Sequence, residues 1–247
     1  MCLVCHPRHY EAAGSCSDCH RGDPRSSRKN IAHSGLVGGA YAPRGGREAQ
    51  RRVESGKRLI ERFGCRRCHL QAGRGNRLAM DLDQAGSMRS PVALQRSIRY
   101  PVDAMPDFRV DDEQAVQLVS AILAGARPPA AVAPLAVHFS PGAAGKQEVF
   151  TIKCGGCHRL LSEQAGPLGS GRVGPNLSGL LSTFYAPTFR ETEAWTPERL
   201  KLWLDNPRGI RPWAGMLPVR LNGEEFRQLL SRIRVTEKEK GITPLPE

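Results

Sequence analysis

Four short segments of this 247-residue chain place thiols and imidazoles at a fixed spacing. They are Cys2-Leu3-Val4-Cys5-His6, Cys16-Ser17-Asp18-Cys19-His20, Cys65-Arg66-Arg67-Cys68-His69 and Cys154-Gly155-Gly156-Cys157-His158. All 8 cysteines fall in them, together with 4 of the 7 histidines. Two thiols three positions apart can add to the two vinyl groups of one haem, and the next residue then offers an imidazole nitrogen to the iron. A single segment of this kind also suits a redox dithiol or half a zinc site. Zinc would pair two Cys-x-x-Cys arms without needing a histidine after each. A disulfide framework would not repeat one spacing four times. The pattern therefore predicts four covalently bound haem c groups.

Length and composition set the frame around these segments. Four sites in one chain leave about sixty residues for each, which predicts small modules whose apolar core is partly the haem itself. Only 6% of residues are aromatic, and 26 glycines with 19 prolines imply many loops. The formal charge is +12. Four haems would add roughly −8 from propionates and about +1 from each ferric core, which brings the sum to about +8. The basic residues are scattered over Arg21–Arg28, Arg44–Arg58, Arg66–Arg77 and Arg208–Arg220. That distribution reads as a solvated surface that steers acidic redox proteins, and nucleic acid is not an expected partner. No stretch approaches the ~20 apolar residues of a membrane span, and no leader pattern is visible. Met1 directly precedes Cys2. Haem attachment to thiols resembles a process completed after export in other c-type cytochromes. A leader that was cleaved, trimmed or missed is therefore expected, with a periplasmic or extracellular location.

The elements that must position the segments can be read in outline. Residues 1–45 hold two haem motifs and form a loop-rich dihaem module. Residues 46–127 form a second module, 128–141 a Pro/Ala linker, 142–235 a third module and 236–247 a polar tail. The fold class expected is mainly α. In the second module Val53, Gly56, Leu59, Ile60 and Phe63 recur at helical spacing before Cys65. Ser90-Pro91 starts a helix, and Asp111 or Asp112 caps a closing one whose Val116, Val119, Ile122 and Leu123 form an apolar face. In the third module Gly145, Val149 and Phe150 precede Cys154. Thr196-Pro197-Glu198 opens a helix through Trp203 and Leu204. Asn222 with Glu225 has the form of a capping box, ahead of Phe226, Leu229, Leu230 and Ile233.

A pre-haem helix, Cys-x-x-Cys-His, a later methionine and an amphipathic closing helix occur in that order twice. In this the two modules resemble the class I cytochrome c family over residues 46–235. The matching residues include Gly174-Pro175-Asn176-Leu177, Leu204-Asp205-Asn206-Pro207-Arg208 leading to Met216, and Tyr100-Pro101-Val102-Asp103-Ala104-Met105-Pro106-Asp107-Phe108. The resemblance implies that His69 and His158 are proximal ligands, with Met105 and Met216 opposite them. Met80 and Met88 are rivals to Met105, although methionine also fills gaps in packing. It also implies that the Pro175 carbonyl accepts a hydrogen bond from His158. The second module lacks Gly-Pro at the equivalent place. The segment around Cys2–His9 is similar to the bis-histidine pairs of small multihaem cytochromes. There His6 and His20 are proximal, and His33 is assigned to the first haem and His9 to the second. His9 follows His6 too closely to serve the same iron. His138 reads as a solvated loop residue.

Methionine ligation raises haem potential relative to two imidazoles. The expected function is electron transfer between redox proteins outside the cytoplasm, from two lower-potential bis-histidine haems to two higher-potential His/Met haems. Two alternatives stay open. One is an electron-transfer subunit of a membrane quinol-oxidising complex or a haem filament. The other is a haem enzyme, a peroxidase or sulfur-compound reductase, with one open iron. No spare cysteine is present to ligate such an iron, and no residue is assigned a catalytic role.

Overall fold

The computed structural model describes residues 20–23, 25–33, 36, 37, 41, 46–102, 104–127 and 148–236. Over these the chain is mainly α-helical, and it divides into two compact units. The first comprises residues 1–63, 71–73 and 80–133, the second residues 64–70, 74–79 and 134–247.

In the first unit a single-turn helix, α1 (Lys29–Ala32), precedes α2 (Arg47–Arg62). The aliphatic spacing anticipated α2: Val53, Gly56, Leu59 and Ile60 are its buried residues. Phe63 stands just past the last turn and stacks on Phe108, ring centres 5.1 Å apart. Two short helices follow, α3 (Leu82–Met88) and α4 (Pro91–Arg99). The Ser90 hydroxyl caps α4 by accepting from the Ala93 N–H at 3.2 Å, with Pro91 in the first turn.

Helix α5 (Asp112–Ala124) closes the unit. Its cap is Asp111, whose carboxylate accepts from the Gln114 N–H at 2.8 Å, while the Gln114 side chain accepts in return from the Asp111 N–H at 3.4 Å. A single apolar face was expected, but Ala115, Leu118, Val119, Ser120, Ala121, Ile122 and Leu123 are all buried. The cause is that α2, α3 and α4 all pack against α5. Replacing Asp111 with alanine should cost about 1 kcal/mol, the usual worth of such a cap. Chemical denaturation would show this as a lower midpoint with an unchanged slope.

The second unit is built around the last haem motif. Helix α6 (Val149–Lys153) is only five residues long, and the Glu148 carboxylate caps it by accepting from the N–H groups of Phe150 and Thr151. After His158 the chain forms a hairpin of β1 (Leu160–Ser162) and β2 (Gly166–Leu168), antiparallel, with Leu160 opposite Leu168. Helix α7 (Pro197–Asp205) starts at the Thr196 cap, as read from the sequence. One turn, α8 (Pro207–Ile210), leads on to Met216. Helix α9 (Gly223–Ile233) begins with the Asn222–Glu225 capping box, both bonds present at 2.9 and 2.8 Å. The core is Val149, Phe150, Leu160, Leu168, Leu180, Leu200, Leu204, Leu229 and Ile233 with the Cys154 side chain, so the helices and the hairpin surround one thiol of the motif. Gly145 and the 128–141 linker lie outside the described residues, as does all but the first residue of the polar tail.

Candidate haem sites

The site on Cys154–His158 is the most completely described. The short helix α6 ends at Cys154, and the backbone turns through Cys157 N to Cys154 O (3.0 Å) and His158 N to Cys154 O (2.9 Å). The turn brings His158 inward, where it is buried, while Cys157 stays exposed. The Nδ1 atom of His158 lies 2.9 Å from the Pro175 carbonyl oxygen. A carbonyl can only accept, so Nδ1 is the donor, and in the neutral ring this leaves the lone pair on Nε2. This is the tautomer a metal-ligating imidazole needs, oriented by its backbone partner.

The ring has a tailored seat. A Cβ placed on Gly174 would come within 2.2 Å of Cε1 and 2.4 Å of Nδ1 of His158, so only glycine leaves room. Gly174 is itself fixed by its N–H, which donates to Cys157 O at 2.9 Å.

Met216 lies on the loop after α8, partly buried against the core cluster. The indole Nε1–H of Trp203 donates to its Sδ at 3.1 Å. Trp203 meets Trp195 edge to face at 5.8 Å, and Arg211 covers its ring at 4.8 Å. Sequence reading gave Trp203 only a place in a helix. The signal available was its position immediately before the Leu204–Met216 approach.

For the motif at Cys65–His69, Cys65 opens a single 3-10 turn, and both Cys68 N and His69 N donate to Cys65 O at 3.2 and 3.0 Å. Among the described residues, Cys65, Cys68, Cys154 and Cys157 form no disulfide. Burial pushes the Cys65 thiol up to about 12 and the Cys154 thiol up to about 11, and burial also raises Cys68. Met105 is half-buried, with its N–H donating to Val102 O at 2.9 Å. Its rivals Met80 and Met88 are exposed, Met88 strongly so at 70%.

Of the N-terminal motifs, Cys2, Cys5, His6, His9, Cys16 and Cys19 lie outside the described residues. His20 is described, and its surroundings repeat the pattern of the last site. Its Nδ1 lies 3.0 Å from the carbonyl oxygen of Val37, while the Val37 N–H donates back to His20 O at 2.7 Å. Val37 is almost wholly buried. The carbonyl partner stands 17 residues after the histidine in both sites, Val37 here and Pro175 there. That equal separation was available in the sequence but carries no residue-type signal at Val37. Next to His20, the Arg21 guanidinium donates to the carbonyls of Gly86 and Arg89 at the end of α3. His33 follows α1 and is exposed. His138 lies outside the described residues.

The observed geometry fits a haem held by two thioether sulfurs and an oriented imidazole. Residues 51–120 match the family described as cytochrome C oxidase, cbb3-type, subunit III. The match runs from within α2 to within α5 and takes in Cys65–His69 and Met105. No curated protein matches the chain, and no solved structure does. Residues 51–120 thus match a c-type cytochrome domain. Such a domain implies covalently bound haem c, haem-based electron transfer and redox proteins as partners. Among the described residues, no helix is long and apolar enough to cross a membrane.

Proposed function

We propose that the chain is a tetrahaem c-type cytochrome that passes electrons between redox proteins outside the cytoplasm, in the periplasm or beyond it. The organisation is a dihaem module over residues 1–45 and two class I cytochrome c-like modules over 46–127 and 142–235. Thioether links come from Cys2 and Cys5, Cys16 and Cys19, Cys65 and Cys68, and Cys154 and Cys157. Proximal ligands are His6, His20, His69 and His158. Opposite them stand His33, His9, Met105 and Met216, in that order. When bound, haem supplies the one-electron couple, and the protein positions it, tunes it and keeps out side reactions.

The observation that carries this reading is the His158 site. A buried imidazole is fixed in the metal-binding tautomer by Pro175, directly after two thiols, one of them in the core. The equivalent His20–Val37 bond supports the same reading for the second motif. The solvated basic surface suits acidic partners.

Intact mass of the holoprotein should show four haem increments, and a redox titration should resolve a lower and a higher pair of midpoints. Fewer increments would remove the tetrahaem reading. Four superimposed midpoints would remove the gradient. Carbon monoxide binding to one iron in the native reduced protein would instead favour an enzyme with an open site.

The description of the matched family favours a second reading, an electron-transfer subunit of a membrane respiratory complex. Co-purification with a membrane complex from its native source would separate the two.

A further inference from the structure

The third attachment segment does more than present thiols. Residues 64–70 and 74–79 belong to the same compact unit as the last haem motif. Within that unit Arg67, between Cys65 and Cys68, is half-buried and reaches the loop that carries Pro175. Its Nε and Nη2 donate to Ser178 O at 3.3 and 3.2 Å, and Nη2 also donates to Asn176 O. The guanidinium lies over the Tyr185 ring at 4.2 Å, and the Tyr185 hydroxyl donates to Asn176 O at 3.3 Å. Beside it the buried Asn76 amide donates to Arg67 O and to Ser182 Oγ, each at 2.8 Å. The approach is close: a Cβ on Gly179 would meet Arg67 O at 2.7 Å.

The other side of the same loop is tied to the last site. Pro175 O accepts from His158, Leu177 N donates to Arg159 O at 2.8 Å, and the fully buried Ser178 accepts from Leu161 N at 2.8 Å. The loop that fixes the proximal imidazole is therefore held from two sides, one of them the attachment segment of another haem. These partners of the guanidinium are neutral carbonyls and an aromatic face, so its charge is not cancelled by them. Arginine suits the place because its planar fork can hold two carbonyls while stacking on a ring.

We propose that Arg67 is a positioning residue for the haem held by His158. It keeps the Pro175 loop in register and places a fixed positive charge beside it. The reduction potential of that haem then depends on the docking of the Cys65–His69 segment. The charge opposes the extra positive charge of the ferric state and so raises the potential. The two haem sites respond to each other through this bracket. The proposal rests on reading both segments as haem sites.

The test is spectroelectrochemical titration of the four-haem protein, with intact mass recorded on the same samples. In Arg67→Gln one midpoint should fall, corresponding to a loss on the order of tenfold in the ferrous-to-ferric ratio at fixed poise, or 59 mV for one electron. The haem count should not change. Arg67→Lys keeps the charge but loses the fork, and should recover most of the fall. The two failures are distinguishable. If the wild-type mass shows no haem on either segment, the underlying reading fails. If both haems are present and Arg67→Gln leaves every midpoint within twofold of wild type, the proposal is overturned. A fall that Arg67→Lys does not recover would overturn the charge argument and leave loop placement alone. Should Arg67→Gln lose the last haem, Tyr185→Leu in the intact chain removes the ring that holds the guanidinium on the loop, with the charge retained. No midpoint change there would sink the positioning role.

Discussion

Alanine in place of Gly174 is expected to displace His158 from its present seat. The new Cβ would lie 2.2 to 2.8 Å from three atoms of the imidazole, and real contacts of that length do not survive. Neither party can simply withdraw. The ring is tied to Pro175 O at 2.9 Å, and the Gly174 N–H is tied to Cys157 O at 2.9 Å. One of these bonds must break or the loop must lift. Overpacking of this kind costs about 1–3 kcal/mol, and leaving a buried polar group unpaired costs about 1–3 kcal/mol more. The sum is large against the ~5–15 kcal/mol that holds a typical domain together. The holoprotein should therefore melt at a clearly lower temperature, and one haem should show an altered spectrum and midpoint. Gly156 provides the control inside the same motif. It is exposed, and a Cβ there meets nothing within 4 Å. Gly156→Ala should behave as wild type. A Gly174→Ala protein with wild-type spectrum and midpoints would mean that His158 does not occupy this seat when haem is attached.

The elements that position this site were partly legible in the sequence, and the legible part was local. Ser90-Pro91, Thr196-Pro197 and Asn222–Glu225 announce helix starts because a cap and the N–H that donates to it lie within three residues of each other. The cap at Glu148 is equally local, but helix α6 is too short to show any period. The hairpin at Leu160–Leu168 left no signal, since three-residue strands give alternation nothing to act on, and Pro167 argues against a strand. Helix α5 looked one-faced but is buried on most of its surface, because its surroundings are decided by three other helices. Least legible of all were the arginine contacts. Arg67 meets carbonyls 109 and 111 residues away, and Arg21 meets carbonyls 65 and 68 residues away. Within the sequence these arginines are indistinguishable from the basic residues scattered around them. Chemistry at the motifs was readable because thiol, thiol and imidazole must be adjacent. The carbonyls that orient the imidazoles were not, because every residue carries one.

The second large effect concerns Met216. On the proposed reading its thioether is the ligand opposite His158. A thioether is a weaker donor to ferric iron than imidazole and so favours the ferrous state. Met216→His should then lower one midpoint by a few tenths of a volt, within the ~0.8 V span that axial ligands command. Met216→Ala should remove one contribution to the sulfur-to-iron charge-transfer band and let carbon monoxide bind at that haem. The side chain is well placed for the comparison. It sits partly buried against the core, on a loop tethered by Val219 N to Leu204 O at 2.8 Å. Trp203 adds a graded version of the same test. Its N–H donates to the Met216 sulfur at 3.1 Å and so draws electron density away from the lone pairs left for the iron. Trp203→Phe should strengthen the sulfur as a donor and lower the same midpoint, by less than Met216→His does. The two substitutions must move one haem in one direction. If Met216→Ala leaves the charge-transfer band and all midpoints in place, Met216 is a packing residue and another group completes the last site.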